Sequence, residues 1–463
     1  MTSARLTSLD AAFLAVETPT AHMHVGWAAR FVPPPGAEAP RFPAILEHIE
    51  RRVPRAPRYR QKLAEIPLGI HHPAWIDDEG FDVSRQVLRS GARTLGEVVD
   101  ESMSEPLPRD RPLWQMRVAD RLSDGSVGVV GKAHHCMVDG IAAVKLASLV
   151  VDPEPDPPQP PPEDWEPAPA PGGFELFRRA LVDRTRQELG LAAIPARVIR
   201  SPGRVLGGAR RAAYALADAF RPAADSSLNE PISPLRHLAA LERPLHDLRR
   251  IRRAFGVTVN DVLLAASAGA VRRLLQDRGE PAIPLKAMVP VNVRDDGADG
   301  ELGNRLAFMF VDLPCDEPDP VRRLMDVHMA TSSRKEGGEA RGAGAVLGAL
   351  AYAPRLIQGA FSRAAASPRA YNLVVSNIPG PREPLYLLGC ELREAYPVVP
   401  LADGHDLSIG VTTVGERACF GLYVDPESLP DADALARDLD RSIDELLARG
   451  VDEELAAPAM AMS

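Results

Sequence analysis

Lysine is scarce in this chain: five of its 54 basic residues are Lys and the rest are Arg. That bias, like the 45 prolines, reflects codon usage and elaborate loops and carries no mechanism. No excess of positive charge exists either, since 63 acidic residues leave a formal charge of −9, which argues against a protein built mainly to bind nucleic acid. The four cysteines, Cys136, Cys315, Cys390 and Cys419, are far apart and form no CxxC pair. A disulfide framework or a zinc ribbon is therefore not expected, and a reducing cytoplasm is. The longest apolar stretch, residues 342–354, falls short of the roughly 20 residues that cross a bilayer, so any membrane contact is expected to be peripheral. At the N-terminus, Asp10 and Glu17 fall where a signal peptide would need its apolar core, so export is not expected.

What is present is enough for a large core: 463 residues, 45% of them hydrophobic, suggest two or three domains. Residues 153–171, PEPDPPQPPPEDWEPAPAP, hold proline at about every second position, which removes backbone donors and enforces extended conformations. The division this suggests is an N-terminal lobe at 1–151, a linker or surface loop at 152–173 and a C-terminal lobe at 174–463. In the first part, residues 23–32 and 126–133 favour strands, while 42–52 and 95–103 carry helical spacing.

In the second part, residues 258–275 place Val259, Leu263, Ala266, Ala270 and Leu274 on one stripe of a buried helix, opened by a capping-box pair, Thr258 and Asp261. Strands are expected at 285–291, 305–313, 371–376, 407–414 and 418–424, the last two joined as a hairpin at Gly415. A closing helix shows Leu435, Leu439, Ile443 and Leu446 on one face, with Gly450 expected just past its end as a left-handed cap. Between 174 and 221, ten arginines face four acids, a net +6 inside an acidic protein. This stretch reads either as an amphipathic helix pair on an anionic lipid surface or as a solvated helical cover over the core.

The sharpest signal is His134-His135-Cys136-Met137-Val138-Asp139-Gly140, an HHxxxDG string that leaves a strand. Independent draws would produce it in on the order of one such chain in a thousand. A strand entering a tight turn can present one imidazole in a cleft while the later Asp folds back to orient the turn, and Gly140 lets the backbone pass closely. Histidine, with a reference pKa of about 6.5, suits general-base work in acyl transfer, taking a proton from an attacking alcohol and returning it to a leaving thiolate. Adjacent strand residues point to opposite faces, so His134 and His135 would not readily share a metal ion, and Cys136 reads as a buried thiol rather than a nucleophile. A second pair, His71-His72, lacks the continuation and reads as a surface turn.

The string and its neighbours resemble the bacterial wax ester synthase/diacylglycerol acyltransferases, within the chloramphenicol-acetyltransferase-like and condensation-domain superfamily. The resemblance spans residues 5–448 and is carried, in order, by SLDAAFLAVETPTAHMHVG, PAWIDDEGFDVSRQV, Pro112-Leu113-Trp114, HHxxxDG, Asn260-Asp261, Asn292-Val293-Arg294 and Ser376-Asn377-Ile378-Pro379-Gly380-Pro381. It implies a mixed α/β fold of two lobes, each a mixed β-sheet flanked by helices, with an active-site channel between them and a segment exchanged between lobes. It implies His135 as the base, Asp139 holding the loop and His134 in support, with acyl-CoA as co-substrate, no cofactor, no metal and no covalent acyl-enzyme. The acceptor would be diacylglycerol or a long-chain alcohol.

Beyond that core, Asn260 and Asp261 read as a helix cap or as a brace for the catalytic loop. Arg294 could pair with Asp139. Ser376 and Asn377 either aim a group at the developing oxyanion or belong to a structural turn. Trp114 is most simply a core aromatic. Two other functions stay open from the residues: transfer from a carrier protein to a polyketide or peptide hydroxyl or amine, and a non-catalytic lipid-binding or droplet-coating role.

Overall fold

The computed structural model describes residues 5–137, 146–147, 149–158, 165–192, 221–292, 306–337, 353 and 355–460. In chain order the first part supplies α1 (Ser8–Val16), β1 (His24–Val32), α2 (Phe42–Glu50), β2 (Gln61–Ala64), β3 (Ala74–Asp77), β4 (Val87–Arg89), α3 (Leu95–Met103), β5 (Trp114–Ala119) and β6 (Val127–His134). Beyond the proline-rich tract come α4 (Gly173–Ala192), β7 (His237–Pro244), α5 (Leu245–Phe255), α6 (Val259–Asp277), β8 (Leu285–Asn292), β9 (Leu306–Leu313), α7 (Pro320–Gly337) and α8 (Arg355–Ala365). The chain then adds β10 (Leu373–Asn377), β11 (Tyr386–Leu387), β12 (Cys390–Val398), β13 (Leu407–Val414), β14 (Arg417–Val424) and α9 (Ala432–Met460).

Two six-stranded mixed sheets result, ordered β11-β12-β1-β6-β5-β4 and β7-β14-β13-β10-β8-β9. The fold is thus mixed α/β with two sheet-and-helix lobes. Every residue of β5 and β6 is buried, because helices or loops cover both faces of the first sheet there. Such strands read as nearly continuous apolar runs rather than alternating ones. Trp114, fully buried at the start of β5, satisfies its indole N–H by donating to the Tyr59 carbonyl at 2.7 Å.

Strand β12 comes from late in the chain yet pairs antiparallel with β1 in the first sheet. Its end also lies across the second sheet, where Gly410 and Gly421 face each other on β13 and β14. A Cβ on Gly410 would come 2.9 Å from Pro397 Cγ, and one on Gly421 would come 2.6 Å from the Pro397 carbonyl oxygen. The missing side chains are what let β12 touch both lobes.

In the second lobe α6 is buried nearly all round between the sheet and its neighbours α7 and α9. The expected capping box is present: Thr258 Oγ1 accepts from Asp261 N at 3.2 Å, and Asp261 Oδ2 accepts from Thr258 N at 2.9 Å. The Gly415 hairpin also forms, with φ +56° at that residue.

Two expectations are corrected. The closing helix does not stop at Gly450 but runs on to Met460. Gly450 is buried, and a Cβ there would lie 3.2 Å from Ala254 Cβ, so this glycine admits the end of α5 instead of capping a helix. Nor is His71-His72 a surface turn, since each is 8% exposed and His72 Nε2 lies 3.0 Å from Gln358 Oε1 of α8.

The proline-rich tract is held on the first lobe on both sides of residues 159–164. Asp152 bridges to Tyr386, the amides of Ala168 and Ala170 donate to Asp77 and Glu79, and the Arg60 guanidinium stacks over Trp165. Helix α4 begins the basic stretch, burying Leu176 and Ala180 against Ile66 and Ala74. The second helix of the expected pair falls at residues outside those described. Among the described residues no single helix is long and apolar enough to cross a membrane.

Candidate active site

The HHxxxDG string begins where β6 ends. His134 is its last residue and pairs across the sheet with His24 of β1, so both rings belong to one buried face. His134 is 1% exposed, and its Nδ1 accepts from the Cys136 amide at 3.1 Å. Accepting there places the ring hydrogen on Nε2, which stands 3.6 Å from Glu17 Oε1, too far for a direct hydrogen bond. Burial, then the neighbouring Arg109 charge, hold the His134 pKa well below the ordinary value, so the ring is neutral. Glu17 is meanwhile ion-paired to Arg109.

His135, one residue on and in the turn that follows β6, is half-exposed. Its backbone amide donates to the Met23 carbonyl at 3.0 Å, and Met23 sits at φ +50°, a left-handed conformation uncommon for a non-glycine residue. Its imidazole stacks on Phe13 of α1 with ring centroids 3.6 Å apart and planes 12° from parallel. Phe13 also packs on a buried cluster that joins Ala28 and Val130 of the first sheet to Leu238, Cys419 and Tyr423 of the second, so the stacking partner of His135 lies where the lobes meet. The capping box of Thr7 and Asp10 fixes the start of α1 and with it the height of Phe13.

The face behind the two histidines is closed. Lys132 is fully buried and donates to the carbonyls of Ser102 and Glu105; burial brings its pKa down to about 7. His24 is depressed well below its usual pKa by burial, then by the nearby Lys132 charge. The Cys136 thiol is 2% exposed and pushed up by burial, which suits an inert packing group. Past the string the chain is anchored again, with Leu146, Leu149 and Val150 all in the first-lobe core.

The other expected site residues separate. Asp139, Gly140 and Arg294 lie outside the described residues, and so does the pairing expected between Asp139 and Arg294. Asp261 is fully buried, and besides its capping contact it accepts from Thr331 Oγ1 at 2.7 Å and lies 2.9 Å from His328 Nδ1, both on α7. Burial alone would raise its pKa, but the hydrogen bonds from Thr331, His328 and Thr258 outweigh that and lower it. Of its two expected roles, these contacts make it a cap and a clamp between α6 and α7. Asn260 is half-buried in the first turn of α6.

Ser376 is buried and Asn377 exposed at the end of β10. The turn after them is tied to β13: the Ile378 amide donates to the Val411 carbonyl, and a Cβ on Gly380 would fall 1.8 Å from the Thr413 carbonyl oxygen. These contacts give the Pro-Gly-Pro segment a structural reason of its own. Phe13, Glu17 and Met23 gained no role from spacing, although the opening motif that contains them is a family signature.

The two-lobed arrangement defines the class: a fold shared with acyl-transferring and condensing domains. The first condensation domain of the CDA synthetase matches it with a TM-score of 0.58 at 16% identity, over 97% of this chain and 96% of that one, a likeness in fold alone. The wax ester synthase/diacylglycerol acyltransferase from Marinobacter aquaeolei VT8 is nearer, with a TM-score of 0.68 and 25% identity over 96% and 99% of the two chains.

The profile described as wax ester synthase/diacylglycerol acyltransferase catalytic domain matches residues 6–263, and that of the C-terminal domain of the same family matches 302–447. The chain belongs to the wax ester synthase/diacylglycerol acyltransferase family. A putative diacylglycerol O-acyltransferase of Mycobacterium tuberculosis is 32% identical over 466 residues, covering 96% of this chain and 90% of the relative. The probable diacylglycerol O-acyltransferase tgs1 of the same organism is 32% identical over 459 residues, covering 96% of each.

Proposed function

We propose that this protein transfers a fatty acyl group from acyl-CoA to the hydroxyl of diacylglycerol or a long-chain alcohol, with His135 as the general base. Membership of the family supports O-acyl transfer from acyl-CoA. The observation that carries the assignment of the base is the contrast between adjacent imidazoles, one sealed and neutral, the other half-exposed and braced by Phe13 at the lobe boundary. The His135 ring takes the hydroxyl proton as the oxygen bonds to the thioester carbon. The carbon–sulfur bond then breaks, and the proton passes to the leaving thiolate. His134 supports the strand end, Asp139 and Gly140 shape the loop, and Ser376 or Asn377 is the candidate to face the oxyanion.

The test is incubation with palmitoyl-CoA and either hexadecanol or dioleoylglycerol in detergent, following free thiol and neutral lipid together. Thiol release that requires the acceptor, with ester formed in equal amount, is the expected result; no ester from either acceptor would overturn the reading.

Both acceptors reside in lipid, so the enzyme works at a lipid surface, and one patch suits an anionic one. Leu68 (88% exposed), Phe174 (80%) and Leu356 (85%) crown three segments that touch. Arg355 donates to the carbonyls of Gly69 and His71, and Gly173 lies against Pro67. Leu68 is held outward at φ +61°, and Arg178 and Arg355 supply exposed positive charge beside the apolar tips. Burying such side chains contributes about 1.5–3 kcal/mol each. Serine at Leu68, Phe174 and Leu356 together is expected to weaken sedimentation with phosphatidylglycerol vesicles at least about tenfold, with turnover in detergent unchanged. Undiminished vesicle binding would remove this patch from the docking surface.

A further inference from the structure

We propose that the second lobe contains a separate binding pocket for a phosphate ester, a depression among α6, α7 and α9 that is lined by four arginines and one glutamate. The cavity has a volume of about 370 Å³, and its lining includes Gly269, Arg272, Arg273, Arg323, Glu445 and Arg449. That is within the range of small-ligand sites, about 300–1,000 Å³. Among the described residues it shares none with the contacts of His135 to Phe13 and Met23, and its α6 residues lie toward the opposite end of that helix from the Asp261 cap.

Charge in the pocket is unbalanced. Glu445 is ion-paired with Arg273, stands 3.9 Å from Arg323 Nη2 and is also 3.9 Å from Arg441 Nε, so one carboxylate serves three guanidinium groups. Arg323 is 2% exposed; its Nη1 donates to the Glu317 carbonyl at 2.9 Å, while its Nε has no partner. Burial, and the positive charges of Arg273 and Arg272, lower its pKa from the usual arginine value against the pull of Glu445. A buried cation this poorly matched is costly unless an anion completes it. Guanidinium groups recognise phosphate oxygens through paired N–H donors, which makes a phosphate the fitting partner.

The pocket floor is also built for the guanidinium. A Cβ on Gly269 would lie 2.8 Å from Arg323 Nη2 and 2.6 Å from Ser442 Oγ, so any larger residue would push the arginine out. Arg272 is held by the carbonyls of Cys315 and Asp316, and Arg449 reaches Asp319 at 3.4 Å from the rim.

Two sources share this chemistry: the phosphate-bearing nucleotide end of acyl-CoA, an assignment that rests on the proposed acyl transfer, and a free phosphate metabolite, which does not. Calorimetry on the full-length protein with adenosine 3′,5′-bisphosphate and with inorganic pyrophosphate is expected to give one site per chain for at least one probe. Arg449→Glu, a change at a half-exposed rim position, is expected to weaken that binding at least tenfold with an unaltered thermal midpoint. Arg272→Gln serves as the second variant. If Arg449→Glu raises KM for palmitoyl-CoA and leaves KM for palmitoyl-pantetheine alone, the pocket takes the co-substrate; if both are unchanged while probe binding is lost, it takes a free phosphate. The proposal is overturned if the wild-type protein binds neither probe at millimolar concentration, or if both variants bind as tightly as wild type. Inactivity toward both thioesters would count against acyl transfer, while the calorimetry would still decide the pocket.

Discussion

His135→Ala is expected to lower kcat by about 10²–10⁴, the range a positioned general base supplies, while the thermal midpoint stays close to that of the wild type. The ring is half-exposed and its prominent side-chain packing partner is Phe13, so its removal opens little of the core. The backbone bond from His135 to Met23 survives the change. His134→Ala should behave in the opposite manner. That ring is 1% exposed and its Nδ1 holds the Cys136 amide, so its loss is felt first as reduced stability, on the order of 2–4 kcal/mol. Steady-state turnover beside thermal melts of both variants separates the roles. Substantial turnover by a folded His135→Ala protein would deny that ring the proton transfer.

Asp261→Ala is expected to destabilise the second lobe by about 4–7 kcal/mol, combining the loss of the carboxylate's half of the capping box, about 1 kcal/mol, with two buried bonds to a charged group at about 1.5–3 kcal/mol each. The carboxylate is fully buried and holds Thr258, Thr331 and His328 together, so its removal leaves three polar groups to find new partners. Because its folded pKa is lowered, its contribution is present above the unfolded value near 4 and is lost as pH falls through the folded value. The difference in urea midpoint between wild type and variant should therefore shrink in acid. Turnover per folded molecule should stay within a few-fold at low temperature; unchanged stability with abolished turnover would instead assign Asp261 to the chemistry.

What could be read from the letters was local. Thr258 and Asp261 are three residues apart, and their box depends on nothing distant. The strand entering HHxxxDG shows in its run of apolar residues, and His134, its last residue, is buried with the rest of it. Phe13 could not be assigned in this way, because its contact joins a helix near the N-terminus to a residue more than a hundred positions later. Gly450 resembled a helix stop because nothing nearby reveals that α5 packs against it. The burial of His71 and His72 is likewise set by α8, far along the chain. Composition, finally, says that arginine is abundant but not that four of them converge on one hollow.

The path of β12 has a mechanical consequence. Because two of the six strands of the first sheet are made after the rest of it, translation cannot finish that lobe until most of the other has emerged. The halves therefore mature as one obligate unit. Strand β6, which leads to His135, has both its neighbours, β1 and β5, from the start, whereas β1 waits for β12, so a nascent fragment carries an unfinished sheet one strand away from that histidine.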